Sequence, residues 1–133
     1  MIVYPRLYVV FYRPLFGNYQ HWALSVEYEE QKMIFEIVGE HPHFECNHLE
    51  VDPKSAKSYV GRQFVAVIRI ADIEIIRKVA AEIALDNETT EWDCQDYVLE
   101  VLDQLESEYV LEEDDEEYID ARSILKGKRG AML

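Results

Sequence analysis

The chain has 133 residues and a mass of 15.7 kDa, enough for one domain with a substantial core and too little for two ordinary domains. Apolar residues make up 49% and charged residues 30%, with five Gly and four Pro, which excludes collagenous, low-complexity and wholly disordered classes. A formal charge of −14 repels phosphate backbones and anionic lipid, so nucleic acid is excluded as an expected partner.

Leu7–Tyr12 is an apolar run between Arg6 and Arg13, too short for a signal h-region and far below a membrane span, and Leu7–Arg13 reads as a strand. Pro14 and the Gly17-Asn18 turn signal end it. His21–Tyr28 alternates large apolar Trp22, Leu24, Val26 and Tyr28 with His21, Ala23, Ser25 and Glu27, the pattern of a strand with one layer packed and one smaller, more polar face. Glu29–Lys32 is a polar turn, Met33–Gly39 a third strand and Phe44–Val51 a weaker fourth. Asp52-Pro53 breaks the run, Lys54–Gly61 reads as a loop or short helix, and Gln63–Ile70 is a fifth, strongly apolar strand.

The period then lengthens. Ile73, Ile76, Val79, Ala80, Ile83 and Ala84 follow helical spacing after Asp72, predicting a helix over 72–85. The spacing returns in Cys94, Tyr97, Val98, Val101, Leu102 and Leu105, a second helix that starts near Thr90–Asp93 and ends around Ser107. Thr90 with Asp93 is one capping signature and Asp93 as N-cap is the other; both leave Cys94 beside free backbone N–H groups. Residues 103–120 hold ten acids and no base. The chain therefore divides into a domain over 1–107 and an acidic C-terminal segment over 108–133. Leu111–Leu125 reads either as a third helix or as a solvated, partly disordered tail, and Lys126–Leu133 as flexible. The fold class is α+β, an antiparallel five-stranded sheet packed against a helix whose N-terminus carries the cysteine.

A thiol does covalent work as thiolate, and an ordinary cysteine near pKa ~8.5 is only slightly ionised at neutral pH. Cys94 sits where a helix dipole favours an anion by roughly 0.3–1 kcal/mol, and a neighbouring imidazolium would add a closer charge of the same sense. Of His21, His41, His43 and His48, only His21 opens a well-patterned strand. Glu36, among the apolar residues of the third strand, needs a partner or solvent. If the turn pairs Tyr28 with Gln31, His21 falls opposite Val38 and Glu36 lies on the same face one diagonal step away, about 7–8 Å between backbones, a gap a glutamate spans. A carboxylate on one imidazole nitrogen leaves the other for the thiol.

The segments Tyr12-Arg13-Pro14 and Tyr19-Gln20-His21-Trp22-Ala23-Leu24-Ser25-Val26 resemble the His-Trp-Ala strand of lecithin:retinol acyltransferase-like proteins. Asp93-Cys94-Gln95-Asp96-Tyr97-Val98 resembles both their Asn-Cys-Glu-His-Phe-Val box and the Asp-Cys-Ser-Gly-Phe-Val box of NlpC-type peptidases. Both groups belong to a papain-like superfamily, and histidine before cysteine is the order of its circularly permuted branch. The resemblance implies a permuted papain-like fold and a thiol hydrolase or acyltransferase, with Cys94 as nucleophile, His21 as base and Glu36 as third member. Glu36 stands where the acyltransferase-like group usually has histidine.

The expected chemistry is attack of the Cys94 thiolate on an amide, ester or thioester, with His21 protonating the leaving group and an acyl-enzyme that passes to water or another acceptor. The Cys94 backbone N–H is the natural oxyanion donor, and Tyr19 or Gln20 the candidate second donor. The expected partner is a peptide, an isopeptide or a small acyl substrate, a basic one being what the acidic segment would steer. No cofactor, no metal and no integral membrane segment is expected. The lack of an export signal and the two cysteines, Cys46 and Cys94, read as reduced thiols, point to the cytoplasm. His41, His43, Cys46 and His48 are a weaker zinc alternative, because an extended strand would split them between faces. The competing class is a non-catalytic protein of the same fold that binds a partner.

Overall fold

A computed structural model of the chain describes residues 3–14 and 19–130. It contains strands β1 (Arg6–Tyr12), β2 (His21–Tyr28), β3 (Gln31–Val38), β4 (Glu45–Leu49) and β5 (Tyr59–Val67), then helices α1 (Asp72–Glu82), α2 (Cys94–Ser107) and α3 (Glu116–Lys128). The strands form one antiparallel sheet in the order β4-β3-β2-β1-β5. The class is α+β, as the sequence indicates. The Gly17-Asn18 turn signal lies outside the described residues.

The side-chain alternation of the strands sorts the sheet into two faces. Leu7, Val9 and Phe11 of β1, Trp22, Leu24 and Val26 of β2, and Met33, Phe35 and Ile37 of β3 are all buried in one core with α1, α2 and α3. α2 packs on β2 and β3, α1 beside it on β3, and α3 on β5, so the helices share this face. The other face carries Tyr12, His21, Ala23, Ile34 and Glu36. The β2–β3 register pairs Leu24 with Phe35 and Tyr28 with Gln31, the pairing expected from the turn. Glu29 adopts the left-handed conformation, φ 55°, that closes a two-residue hairpin, so β3 starts at Gln31 rather than Met33.

The chain between β4 and β5 joins the two opposite edges of the sheet and passes over the second face. A short 3-10 turn, Pro53–Ser55, is capped by Asp52, whose carboxylate accepts from Lys54 N at 3.0 Å. Lys32 pairs with Asp52 at 3.2 Å, and Arg13 bonds Ser58 O through its backbone at 2.8 Å and Lys57 O through its guanidinium at 2.7 Å. This strap is the loop or short helix expected over Lys54–Gly61 in its first part; β5 begins at Tyr59 rather than Gln63 because Tyr12 offers it a pairing edge, and it ends at Val67 rather than Ile70. Gly39 ends β3 at φ +95°, where an added Cβ would meet His43 O at 2.8 Å, so a glycine is required.

α1 starts at Asp72, with Ala71 as its cap residue; the Asp72 carboxylate instead accepts from Arg69 N and the Arg69 guanidinium. It stops at Glu82, with Ile83 as C-cap donating its backbone N–H to Val79 O at 2.9 Å, and Ile83 and Leu85 pack on the core. α2 begins at Cys94 with Asp93 as N-cap, in a capping box closed by Asp96. Glu116–Lys128 is a folded helix, the first of the two readings of Leu111–Leu125. Tyr118, Ala121 and Leu125, spaced at one face of α3, are buried in the shared structure, and Arg122 donates to Asp103 at 2.6 Å and to Leu99 O at 3.2 Å on α2. Acids in its first turn and lysines in its last match the helix dipole. Lys126 and Lys128 belong to this helix, whereas the sequence pattern alone suggests a flexible end.

Leu125 is fully buried in the same core as the sheet. Leu125→Ala is therefore expected to lower unfolding stability by about 2–5 kcal/mol. Urea denaturation should show this as a shifted midpoint of one cooperative transition; an unshifted midpoint would mean that α3 is not part of the core.

Candidate functional site

β2 begins at His21, at the end of the sheet where α2 starts, and this brings the imidazole and the first residue of α2 together. On the second face of the sheet, His21 Nε2 and Glu36 Oε1 are 2.7 Å apart, the diagonal contact that the β2–β3 register predicts. The other carboxylate oxygen of Glu36 accepts from Asn47 Nδ2 at 2.8 Å, across the β3–β4 pairing that sets Asn47 opposite Glu36. Both carboxylate oxygens are thus held, which makes a buried acid tolerable. Tyr12 stacks at a tilt against the His21 ring, with centroids 5.6 Å apart.

Burial alone would disfavour the imidazolium. Hydrogen bonding to Cys94 and Glu36, and then the negative charge each can carry, outweigh it and raise His21 to about 9. With Nε2 committed to Glu36, the Nδ1 side of the ring is the one left for the sulfur. Cys94 is buried, and its Sγ lies 4.0 Å from Gln20 O. Tyr12, beside the pair, is raised to about 12 by burial and then by the charge of Glu36.

Cys94 is the first residue of α2 because Asp93 caps the helix, accepting from Gln95 N at 2.9 Å while Asp96 accepts from Asp93 N at 3.0 Å. Burial raises the Asp93 pKa against the opposing pull of Arg129 and the Gln95 backbone N–H. Gln95 is fully buried and donates through Nε2 to Gln20 O at 2.9 Å, fastening the helix start to the residue before His21.

Cys94, His21, Glu36 and Tyr19 all line one cleft of about 780 Å³. Its walls are the second face of the sheet, the strap over residues 51–58, and Phe44 and Trp92 on the other side. Trp92 stands edge-on to Phe44 and donates its indole N–H to Glu100. Tyr19 faces this space near Cys94; burial raises its hydroxyl pKa, followed by the charges of Asp93 and Cys94. Gln20 contributes its carbonyl, an acceptor for Gln95, beside the sulfur.

The histidine-rich segment does not converge. Cys46 sits opposite Ile37 and reaches Ala80 O at 3.7 Å, and His48 packs edge-on to Phe35, so both take the core side of β4 while Asn47 takes the other. Among the described residues, no three His, Cys, Asp or Glu side chains come together as a metal-binding group. Cys46 and Cys94 are unbridged. No described helix is long and apolar enough to cross a membrane.

The model of DUF6540, a family of unknown function, matches residues 7–112, most of the chain. The chain belongs to that family. The DUF6540 match takes in His21, Glu36, Asn47, Cys94 and Gln95 and ends before α3. It overturns the identification with lecithin:retinol acyltransferase-like or NlpC-type proteins, neither of which is found: the His-Trp-Ala and Asp-Cys boxes are a few residues long, and short boxes recur without common family. No curated protein matches the chain, and no solved structure does.

Asn47 escaped the sequence reading because its role needs the β3–β4 register, which no turn signal fixes. Gln95 and Arg129, the residue capping α3 whose Nη1 donates to Gln95 Oε1 at 2.7 Å, escaped it because a contact between residues so far apart in the chain leaves no local pattern.

A folded-state pKa above the unfolded one means that the native protein binds the extra proton more tightly. His21 therefore contributes stability that is fully present below its unfolded value near ~6.5 and is lost as pH rises through about 9. Thermal unfolding of the protein should accordingly fall between pH 6.5 and 9 more steeply than that of His21→Gln. Parallel melting curves across this window would remove the charge interaction assigned to His21.

Proposed function

We propose that this DUF6540 protein is a cysteine-dependent hydrolase or acyltransferase acting through an acyl-enzyme, with Cys94 as nucleophile, His21 as its base and acid, and Glu36 as the residue that orients His21. The observation that carries the reading is that His21, bonded to Glu36 through Nε2, shares a cleft with Cys94 and is raised to about 9 by its interactions with Cys94 and Glu36. A histidine that keeps its proton at neutral pH is the partner a thiolate requires.

In this mechanism the Cys94 Sγ forms a bond to the carbonyl carbon of an amide, ester or thioester, and the carbonyl electrons move onto oxygen. The Cys94 backbone N–H, in the first turn of α2, is the donor nearest that oxygen, with the Tyr19 hydroxyl in the same cleft as the second candidate. The Gln20 carbonyl is an acceptor committed to Gln95, so a donor from Gln20 would be its backbone N–H or side-chain amide. Collapse expels the leaving group, which takes the proton from His21. Water or an acceptor amine or alcohol, deprotonated by His21, then attacks the thioester and frees Cys94. Glu36 stabilises the imidazolium and fixes which nitrogen is left for the sulfur. Asn47 holds the free oxygen of Glu36 so that the carboxylate cannot turn away.

The histidine strand preceding the cysteine helix, with the helix start set against the end of an antiparallel sheet, supports a permuted papain-like arrangement for the sheet and α2. The cleft along the sheet face suits an acyl group or peptide side chain laid between Ile34, Val38, Leu49 and the strap, its carbonyl at Cys94.

Alkylation by iodoacetamide at pH 6, located by mass, tests the reading. Cys94 should react about a hundredfold faster than a free thiol, His21→Ala should abolish that advantage, and Glu36→Gln should reduce it by about tenfold. A Cys94 no faster than a free thiol at pH 6 would leave the cleft as a binding site and sink the enzyme reading.

A further inference from the structure

The fully buried side chain of Gln95 joins three parts of the molecule. Its Nε2 donates to Gln20 O at 2.9 Å, and its Oε1 accepts from Arg129 Nη1 and from Gly130 N, both at 2.7 Å. An amide has donors on one end and acceptors on the other. Two donors on its oxygen therefore fix which way it faces; turned over, it would set NH2 against the guanidinium and oxygen against the Gln20 carbonyl. Gln20 immediately precedes His21 and its carbonyl lies beside the Cys94 Sγ. The end of α3 thus sets the spacing between the histidine strand and the cysteine helix.

The same guanidinium does a second job. Asp93 and Asp96 flank Cys94 in the cap and first turn of α2, where they stabilise the helix but oppose a further anion on the sulfur. Arg129 grips Asp96 with two nitrogens, at 3.2 and 2.8 Å, and lies 3.4 Å from Asp93. The charged or titratable groups around the sulfur are His21 with Glu36 and Tyr12 behind it, Tyr19 before β2, Asp93 and Asp96 at the start of its own helix, and Arg129 from α3.

We propose that Arg129 is a positioning residue for the Cys94–His21 pair, orienting the Gln95 amide that ties the two elements together and offsetting part of the negative charge of the two carboxylates beside the sulfur. This rests on the thiol reading above and extends it to a segment outside the 7–112 family match, so that the site is completed by α3 rather than by the sheet and α2 alone.

The full-length chain and its variants are compared by the rate of iodoacetamide alkylation at Cys94 at pH 6 and at pH 9, with thermal unfolding measured alongside. Arg129→Ala should slow the pH 6 reaction about tenfold and the pH 9 reaction by less than about twofold, because only the low-pH rate depends on the paired thiolate. Arg129→Lys, which keeps the charge but not the fork, should recover part of the loss. Gln95→Glu keeps oxygens for Arg129 but removes the donor to Gln20, and it should also lower the ratio of the pH 6 rate to the pH 9 rate. A merely structural Arg129 would lower the melting temperature and leave that ratio at the parent value, which overturns the proposal. If Arg129→Ala does not fold, parent ratios in both Arg129→Lys and Gln95→Glu overturn it equally. A parent protein whose own ratio is that of a free thiol overturns the thiol reading and the role of Arg129 with it; an activated parent with an unchanged Arg129→Ala overturns the role of Arg129 alone.

Discussion

A carboxylate lodged on a sheet face has few ways to persist, and the contact of Glu36 with His21 is the one on which this site depends. Burial makes an unpaired charge costly for both partners, and the 2.7 Å bond between them removes much of that cost. Asn47 takes the remaining oxygen, so the carboxylate is held on both sides and its direction is not free to vary. The imidazole is then left with one uncommitted nitrogen, and the start of α2 is what the fold places there.

That placement follows from the division of the sheet into two unlike faces. Trp22, Leu24, Phe35 and Ile37 hold α2 against the sheet, while the intervening positions put His21 and Glu36 on the opposite side. The cysteine meets the histidine only because it lies at the tip of the helix, where α2 reaches the end of the sheet. A cysteine one turn further along the helix would be packed against the core. The strap from β4 to β5 supplies the other cleft wall without adding a layer, since it only has to connect the two edges of the sheet.

Much of this arrangement is legible in the residues. Alternation in His21–Tyr28 separates the faces, and the polar turn fixes a register from which the diagonal approach of Glu36 follows; a slip of one residue would have reversed it. Helical spacing places Cys94 in a first turn, and Asp93 is recognisable as a cap. What is not legible depends on long-range pairing. Asn47 acquires its partner from the β3–β4 register, and β5 extends back to Tyr59 because β1 offers it a free edge. The acid-rich run leading into α3 leaves helix and solvated tail both open, because the apolar part of its docking rests on Tyr118, Ala121 and Leu125, too sparse a stripe to stand out among charges. The His-Trp-Ala and Asp-Cys boxes misled for the opposite reason: local similarity is cheap when it spans a few residues, and the matching family is a different one.

The contact of Arg129 and Gly130 with Gln95 also bears on how the protein is made. Its partners are separated by thirty-four and thirty-five positions, and Gln95 in turn reaches back seventy-five positions to Gln20. During synthesis the sheet strands and α2 leave the ribosome first and can begin to collapse, since domains fold as their residues become available. Until residue 130 has been added, the Gln95 amide lacks both donors on its oxygen and Asp96 lacks its cation. A nascent chain therefore carries its sulfur and its imidazole before the contacts of Arg129 and Gly130 with Gln95 can form, and those contacts are completed only once the end of the last helix has left the ribosome.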